Sequence, residues 1–426
     1  MKNKYKILLL AIIMIAVACF AVTASGVKIP YLQNYGTNFR RNVKNIAETI
    51  GLNLPEGVQN YLNKTPKPLT TEEKLDLIEK MEADNQNEQA SPTPSIQVEE
   101  QPLMSAKSKI VALKNAYSAA YISYNSHLIC AADTALICYD ANGNELWSTD
   151  ISLSDPILKT SGRYIIAAEK GGTKAYLFSG KKKIWEYATE SPIMSADVSE
   201  NGDGVIITDK PHYKGEVNVI NRKGELVYQW NSGKYEVLDA DISAASRKLA
   251  VSLLNTENGA DTKISFFDLK QSESYASADL TDTIAFDIEF CGETLNAVCD
   301  NKTVGINTKG HISWQKDFEN KNLTKYFVEN SGYKLLVFDN SNVSQMSVIS
   351  GRGGEKSNIE TQTFPDCIYV FEGHLLYNNG RRLIYTSLSG RNQQEYNCTR
   401  DVYNLLILDS SNLLVVYNSS IEFINL

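Results

Sequence analysis

The sequence predicts an all-β fold: a β-propeller, in its simplest count eight four-stranded blades, preceded by one N-terminal transmembrane helix and a short helical or disordered stalk. Three observations predict it. From about Ser108 onward, helical periodicity gives way to short runs rich in Val, Ile, Tyr and Phe, separated by Gly, Asn, Asp and Ser. A strand–turn–strand unit then recurs, with turns near 143, 180, 224, 271, 310, 351 and 390, at gaps of 37, 44, 47, 39, 41 and 39 residues. The last segment, finally, holds only three strands (404–408, 413–418 and 420–426), and an unpaired strand, 108–114, precedes the first complete unit.

A period of 40–45 residues with about four strands per unit is the signature of a propeller. Small lone sheets would leave raw hydrogen-bonding edges, and closing them into a ring protects those edges. Pairing 108–114 with 421–426 completes an eighth blade from both chain ends. Residues 108–426 then give about 40 residues per blade, in line with the observed gaps. Splitting the weaker repeats differently would leave seven blades.

Upstream of the repeat, Lys2, Lys4 and Lys6 precede an uncharged, proline-free apolar run from Ile7 to Ala24. At about 1.5 Å per residue, a helix of that length just spans a hydrocarbon core of about 30 Å. The basic residues keep the amino end, 1–6, cytoplasmic and place everything after the 7–25 signal anchor outside. A cleaved signal peptide ending near Val22-Thr23-Ala24 and a lipid-modified Cys19 are the alternatives, and both export the same body. Residues 26–83 form a stalk. Phe39, Val43, Ile46 and Ile50 fall at helical spacing ahead of Gly51, and Thr70-Thr71-Glu72-Glu73 opens a second short helix through Met81. Residues 84–107, rich in Asn, Gln, Glu, Ser and Pro, read as a flexible linker that buries too little apolar surface to offset its ordering entropy. The propeller occupies 108–426.

Four units are clear: Ala135–Trp147, Ala175–Trp185, Val217–Trp230 and Val304–Trp314. They contain every tryptophan of the chain, Trp147, Trp185, Trp230 and Trp314, all at the same place in the repeat, where an indole wedged between blades supplies adhesion rather than ligand stacking. These units resemble the repeat of pyrroloquinoline-quinone-type propellers, approximately Asp-x-x-x-Gly-x-x-x-Trp, with WD40-like architecture. Asp140, Gly143 and Trp147 fit it with one residue fewer before the glycine, and Gly310 and Trp314 fit its second half. The arrangement of helix, polar linker and propeller also resembles an uncharacterised group of Firmicutes envelope proteins known only as a domain of unknown function. The first resemblance implies the fold; neither implies an activity.

Chemistry is sparse. A net charge of −8 argues against a nucleic-acid partner. No adjacent cysteines suit a quinone dehydrogenase, so no catalytic residue or cofactor is assigned. Gly351-Arg352-Gly353-Gly354 lacks the Lys-Ser/Thr and helix of a phosphate cradle, and no G-x-S-x-G elbow occurs. His127, His212, His311 and His374 lie far apart, so no metal is assigned. Asp140–Glu145 superficially suggests a calcium loop, but its glycine comes at position four, and Asn-Gly between strands is a hairpin signal. Cys130, Cys138, Cys291, Cys299, Cys367 and Cys398 are compatible with disulfides in an exported protein or with buried thiols.

Long loops on a rigid scaffold are where recognition concentrates. The loops joining second and third strands at 210–215 and 255–262 exceed a minimal hairpin. They nominate Lys210, His212, Tyr213, Asn255, Glu257 and Asp261 as a contact patch. The expected function is a membrane-anchored extracytoplasmic, non-catalytic binding or assembly module whose partner is an envelope protein or a wall ligand. The alternatives are an enzyme (hydrolase, lyase or quinone-dependent oxidoreductase) with a site in the channel, which acidic residues gathered at one mouth would favour, and a sensor of wall glycans or peptides.

Overall fold

The computed structural model describes residues 106–426, apart from 115, 133, 256–259, 320, 330, 341–342, 362–363 and 391. The apolar run 7–25, the stalk and nearly all of the linker lie outside the described residues. Among the described residues, no helix is long and apolar enough to cross a membrane.

The described residues form 32 strands in eight antiparallel four-stranded sheets, with one short 3₁₀ turn at Ala116–Ser118. Numbering strands in chain order, seven sheets are meanders of consecutive strands. The innermost strands of blades one to eight are β2 (Ala120–Tyr124), β6 (Pro156–Ser161), β10 (Ile193–Val198), β14 (Glu236–Ile242), β18 (Ala285–Cys291), β22 (Asn322–Val328), β26 (Ile368–Phe371) and β30 (Asn404–Asp409). The eighth sheet is composite: β30, β31 (Asn412–Val416) and β32 (Ser420–Asn425) come from the end of the chain, and β1 (Lys107–Ala112) adds the outermost strand. The register runs from Lys107 opposite Asn425 to Ala112 opposite Ser420. The eight-blade count with head-to-tail closure is therefore the architecture.

Within a meander, side chains alternate between the two faces of the sheet, and each face packs on a neighbouring blade. The second and third strands consequently read as nearly continuous apolar runs, such as Tyr164–Ala168, buried on both faces. Outermost strands alternate, with Trp147, Trp185, Trp230 and Trp314 as their inward-facing aromatics. Trp185 is 6% exposed and faces the following blade, so that a Cβ at Gly224 would come 3.0 Å from its own Cβ. Trp230 packs on Phe267 of the next blade with the rings tilted by 50° and 4.9 Å between their centres. Trp147 packs with Ile165 and Phe178 of blade two, and Trp314 lies against Gly353 of blade six.

Among the described residues, the six cysteines are free thiols. Cys130, Cys138, Cys299 and Cys398 are buried, whereas Cys291 and Cys367 are half-buried and reach the backbone carbonyls of Ser331 and Tyr403.

Candidate functional site

The innermost strands line the central channel, and in four consecutive blades they carry the same irregularity. The β10, β14, β18 and β22 ladders each shift register by one residue, at Met194, Leu238, Phe286 and Thr324. Such bulges re-aim the residues that follow. The residues after the bulge are Ser195, Asp239, Asp287 and Lys325. Two positions further on, in the next layer of the same faces, stand Asp197, Asp241 and Glu289. Five carboxylates thus occupy one sector of the ring, blades three to five.

Their partners come from neighbouring blades. Asp239 Oδ2 accepts the backbone N–H of Ile288 at 2.8 Å, and Asp241 Oδ2 that of Phe290 at 2.6 Å. Asp241 Oδ1 also accepts the N–H of Ile242. Lys159, from the inner strand of blade two, places its ammonium 3.8 Å from Asp197. Tyr326 of blade six hydrogen-bonds Asp287, and its ring packs on Phe286 at 5.1 Å. On the far side of Glu289, Lys334 is fully buried without a carboxylate contact. Its ammonium donates to Asn296 Oδ1 (2.9 Å) and Gly332 O (3.1 Å) and lies 5.1 Å from the Trp314 ring centre.

Electrostatics follow from this crowding. Burial, then mutual repulsion, pushes Asp239 and Asp241 well above the ordinary carboxylate range. Burial raises Asp287 too, and it lifts Glu289 to about 7 against the pull of Lys159. Asp197 holds Lys159 firmly protonated. Burial lowers Lys334 to about 8. The channel remains wet: the Lys159 and Asp197 side chains keep 50% and 27% of their exposure, which tempers these shifts.

The outer layer of the sector opens into a cavity of about 330 Å³ at the mouth formed by turns between first and second strands. It is lined by Lys159, Asp197, Glu200, Asp241, Glu289 and Cys291, among others. Among the described residues, no three His, Cys, Asp or Glu side chains stand close enough to hold a metal ion. What the cavity offers is one fixed cation beside several carboxyls, two of which, Asp241 and Glu289, burial raises.

The loop residues nominated from sequence sit elsewhere. Lys210, His212 and Tyr213 lie between β11 (Gly204–Thr208) and β12 (Glu216–Ile220), at the opposite mouth. The structure brings three neighbours there together: Lys210 is ion-paired to Glu216 and lies over the Tyr213 ring at 5.7 Å. Tyr213 is exposed, and His212 takes a positive φ of 71° in the turn. Asn255 ends β15 (Lys248–Asn255), opposite Asp261, which opens β16 (Asp261–Asp268). Asp261 accepts the N–H of Asp282. Glu257 lies outside the described residues.

The carboxylate sector escaped a reading centred on loops. The signal is nevertheless present in three segments, Ser195-Ala196-Asp197, Asp239-Ala240-Asp241 and Asp287-Ile288-Glu289. Each alternates acidic or hydroxyl groups with apolar ones in a strand that must be walled in on both sides.

The ring of eight four-stranded sheets makes the protein a β-propeller. More particularly, the chain belongs to a family of unknown function, DUF5711, whose model matches residues 104–426. No curated protein matches. Among solved structures, it is similar to the C-terminal WD40 domain of Sif2 (TM-score 0.51, 10% identity, 76% of this chain and 99% of that one). It is also similar to the Dos1 propeller (0.50, 12%, 76% and 94%) and to BamB from Moraxella catarrhalis (0.47, 11%, 75% and 100%). At such identities the likeness is one of fold.

Proposed function

We propose that this propeller is a non-catalytic binding module of the cell envelope. In this reading the apolar run 7–25 holds it at the membrane, with its amino end inside and the ring outside. It takes a cationic group of a protein partner in the channel mouth lined by Asp197, Asp241 and Glu289. The observation that carries the reading is the stacking of carboxylates in two layers on three consecutive inner strands, each strand re-aimed by a bulge. A cationic side chain entering there would offset the burial and repulsion that raise Asp241 and Glu289, so binding energy and proton release are linked.

Site-specific photocrosslinking in intact cells tests it. A crosslinker at Ala244, which borders the cavity, should capture a discrete partner, and Asp241→Asn with Glu289→Gln should abolish the capture. Capture only from His212, on the opposite mouth, would overturn the assignment. Loss of the exported orientation in a protease-accessibility assay would overturn the placement.

Two observations favour an enzyme instead: the gathering of Asp197, Glu200, Asp241 and Glu289 at one channel mouth, and the state of Glu289. Glu289, held to about 7, is a proton donor at neutral pH beside other carboxyls, the division of labour that general acid–base chemistry uses. A hydrolase or lyase acting from this cavity should lose turnover in Glu289→Gln while retaining substrate affinity.

A further inference from the structure

Gly162 and Arg163 form the tip of one hairpin turn, between β6 and the second strand of blade two, Tyr164–Glu169. Gly162 borders the acidic cavity just described. Arg163 borders a different cavity, also of about 330 Å³, at the seam between blades two and three. Its lining is Arg163, Tyr164, Ser179, Lys182, Ile184 and Arg222: three cations, two hydroxyls and one apolar side chain, with no carboxylate.

We propose that this second cavity is a binding site for a phosphoryl oxyanion. Three features converge. First, neither Arg163, Lys182 nor Arg222 has an ion-pair partner among the described residues, in a chain whose net charge is −8. Asp203, whose field reaches Arg222, is already taken by Arg247 through Nε at 2.9 Å and Nη2 at 3.2 Å. Second, the two guanidiniums converge on one neutral hydroxyl. Arg163 Nη2 donates to the Tyr164 hydroxyl at 3.1 Å, and Arg222 lines the same cavity and acts on the same phenol. A phenol oxygen that accepts still carries its own O–H, so Tyr164 presents a donor while orienting the Arg163 guanidinium. Third, the arrangement is pre-organised. The Tyr164 ring is 2% exposed and wedged against the third blade, where a Cβ at Gly202 would come 2.8 Å from it. The Arg163 backbone is pinned in turn, its carbonyl accepting from Tyr124 Oη at 2.9 Å.

Burial would raise the Tyr164 phenol, yet the two guanidiniums bring it below its ordinary value, which reports the same positive field. Planar guanidiniums and a lysine ammonium around hydroxyl donors match tetrahedral oxygens better than they match a single carboxylate. Lys181 and Lys223 flank the mouth in sequence and add attraction at longer range. The shared chemistry fits a free phosphate or phosphomonoester and also a phosphodiester headgroup or polymer.

Titration calorimetry of the full chain in dodecyl maltoside separates these sources, with inorganic phosphate, glycerol 3-phosphate and soluble dihexanoyl phosphatidylglycerol as probes. Tighter binding of the first two identifies a free phosphate or monoester, and tighter binding of the third a diester. Arg222→Gln and Lys182→Gln replace exposed side chains and should each weaken the preferred probe about ten-fold or more, about 1.4 kcal/mol. Tyr164→Phe keeps the buried ring and should weaken binding with little change in melting temperature. Lys223→Gln, outside the cavity, should leave the affinity within about two-fold. Absence of saturable binding to all three probes at concentrations up to about 10 mM, or affinity unchanged in the Arg222→Gln, Lys182→Gln double variant, would overturn the site. Because the acidic cavity is untouched by these variants, either outcome leaves the crosslinking test independent.

Discussion

Asp239 and Asp287 are the same residue of the repeat in neighbouring blades. Each is the first residue after a bulge in its innermost strand, and the Asp239 carboxylate accepts the N–H of Ile288, the residue directly following Asp287, at 2.8 Å. The strand that carries one acid therefore supplies the donor that secures the other.

That relationship separates two substitutions at one position. Asp239→Ala leaves the Ile288 N–H unpaired beside the channel and should cost about 1–3 kcal/mol in urea unfolding. Asp239→Asn keeps an acceptor oxygen and removes a repelling charge. It should match or exceed the wild type at pH 8. Equal losses for both variants would show that the contact contributes nothing.

Glu289 ties stability to pH. Its folded value, about 7, exceeds its unfolded value of about 4.3, so the folded state binds the proton more tightly. Its contribution is complete below about pH 4 and is lost as pH rises toward about 7. Thermal melts of the wild type should fall across that interval relative to Glu289→Gln, and the two curves should run parallel above it. A constant difference from pH 4 to pH 8 would refute the shift.

Lys334 works in the opposite range. A folded value of about 8 against about 10.4 unfolded means that the buried ammonium opposes folding at neutral pH, and that stability rises with pH between those values. Lys334→Met should be less pH-dependent than the wild type from pH 8 to pH 10, with the melting curves converging at the alkaline end. Parallel curves would count against the lowered folded value of Lys334.

Two turn glycines make a matched pair. Gly180 and Gly310 occupy equivalent turns ahead of the outermost strand, with φ of 54° and 80°. A Cβ at Gly180 meets nothing within 4 Å, whereas one at Gly310 would lie 2.4 Å from the Ser277 carbonyl oxygen of the preceding blade. Gly180→Ala should cost about 1 kcal/mol from backbone strain alone. Gly310→Ala should cost clearly more, because backbone must move. Comparable midpoints in denaturant would contradict the close approach of the blades.

The ring was legible because its determinants are local and repeated. Gly143, Gly180, Gly224 and Gly310 mark turns, Trp147, Trp185, Trp230 and Trp314 mark outermost strands, and the orphan strand at 108–114 demanded a partner at the other end of the chain. The site was less legible. Asp197, Asp241 and Glu289 are 44 and 48 residues apart in sequence, and only ring closure, which turns sequence period into angular position, gathers them. The bulges that aim them, at Met194, Leu238 and Phe286, leave no composition signal, since all three residues suit an ordinary strand. Lys210 and Tyr213 attracted notice through loop length, which reports room on the surface rather than converging charge. Arg163, at one turn of blade two, Lys182, at the start of that blade's outermost strand, and Arg222, at a turn of blade three, meet only at the seam between the two blades.

The composite blade has a mechanical consequence. β1 makes its only ladder with β32, with Lys109 Nζ also donating to Gly143 O and Asn144 Oδ1 of blade one, and the preceding chain leaves from Lys107, opposite Asn425. Tension on that leader, if directed outward, parts the ladder rung by rung like a zipper. Directed along the strand, it loads all the rungs at once. The angle of any pull on Lys107 thus sets how much force the wheel withstands before it springs open, making the eighth blade its fuse.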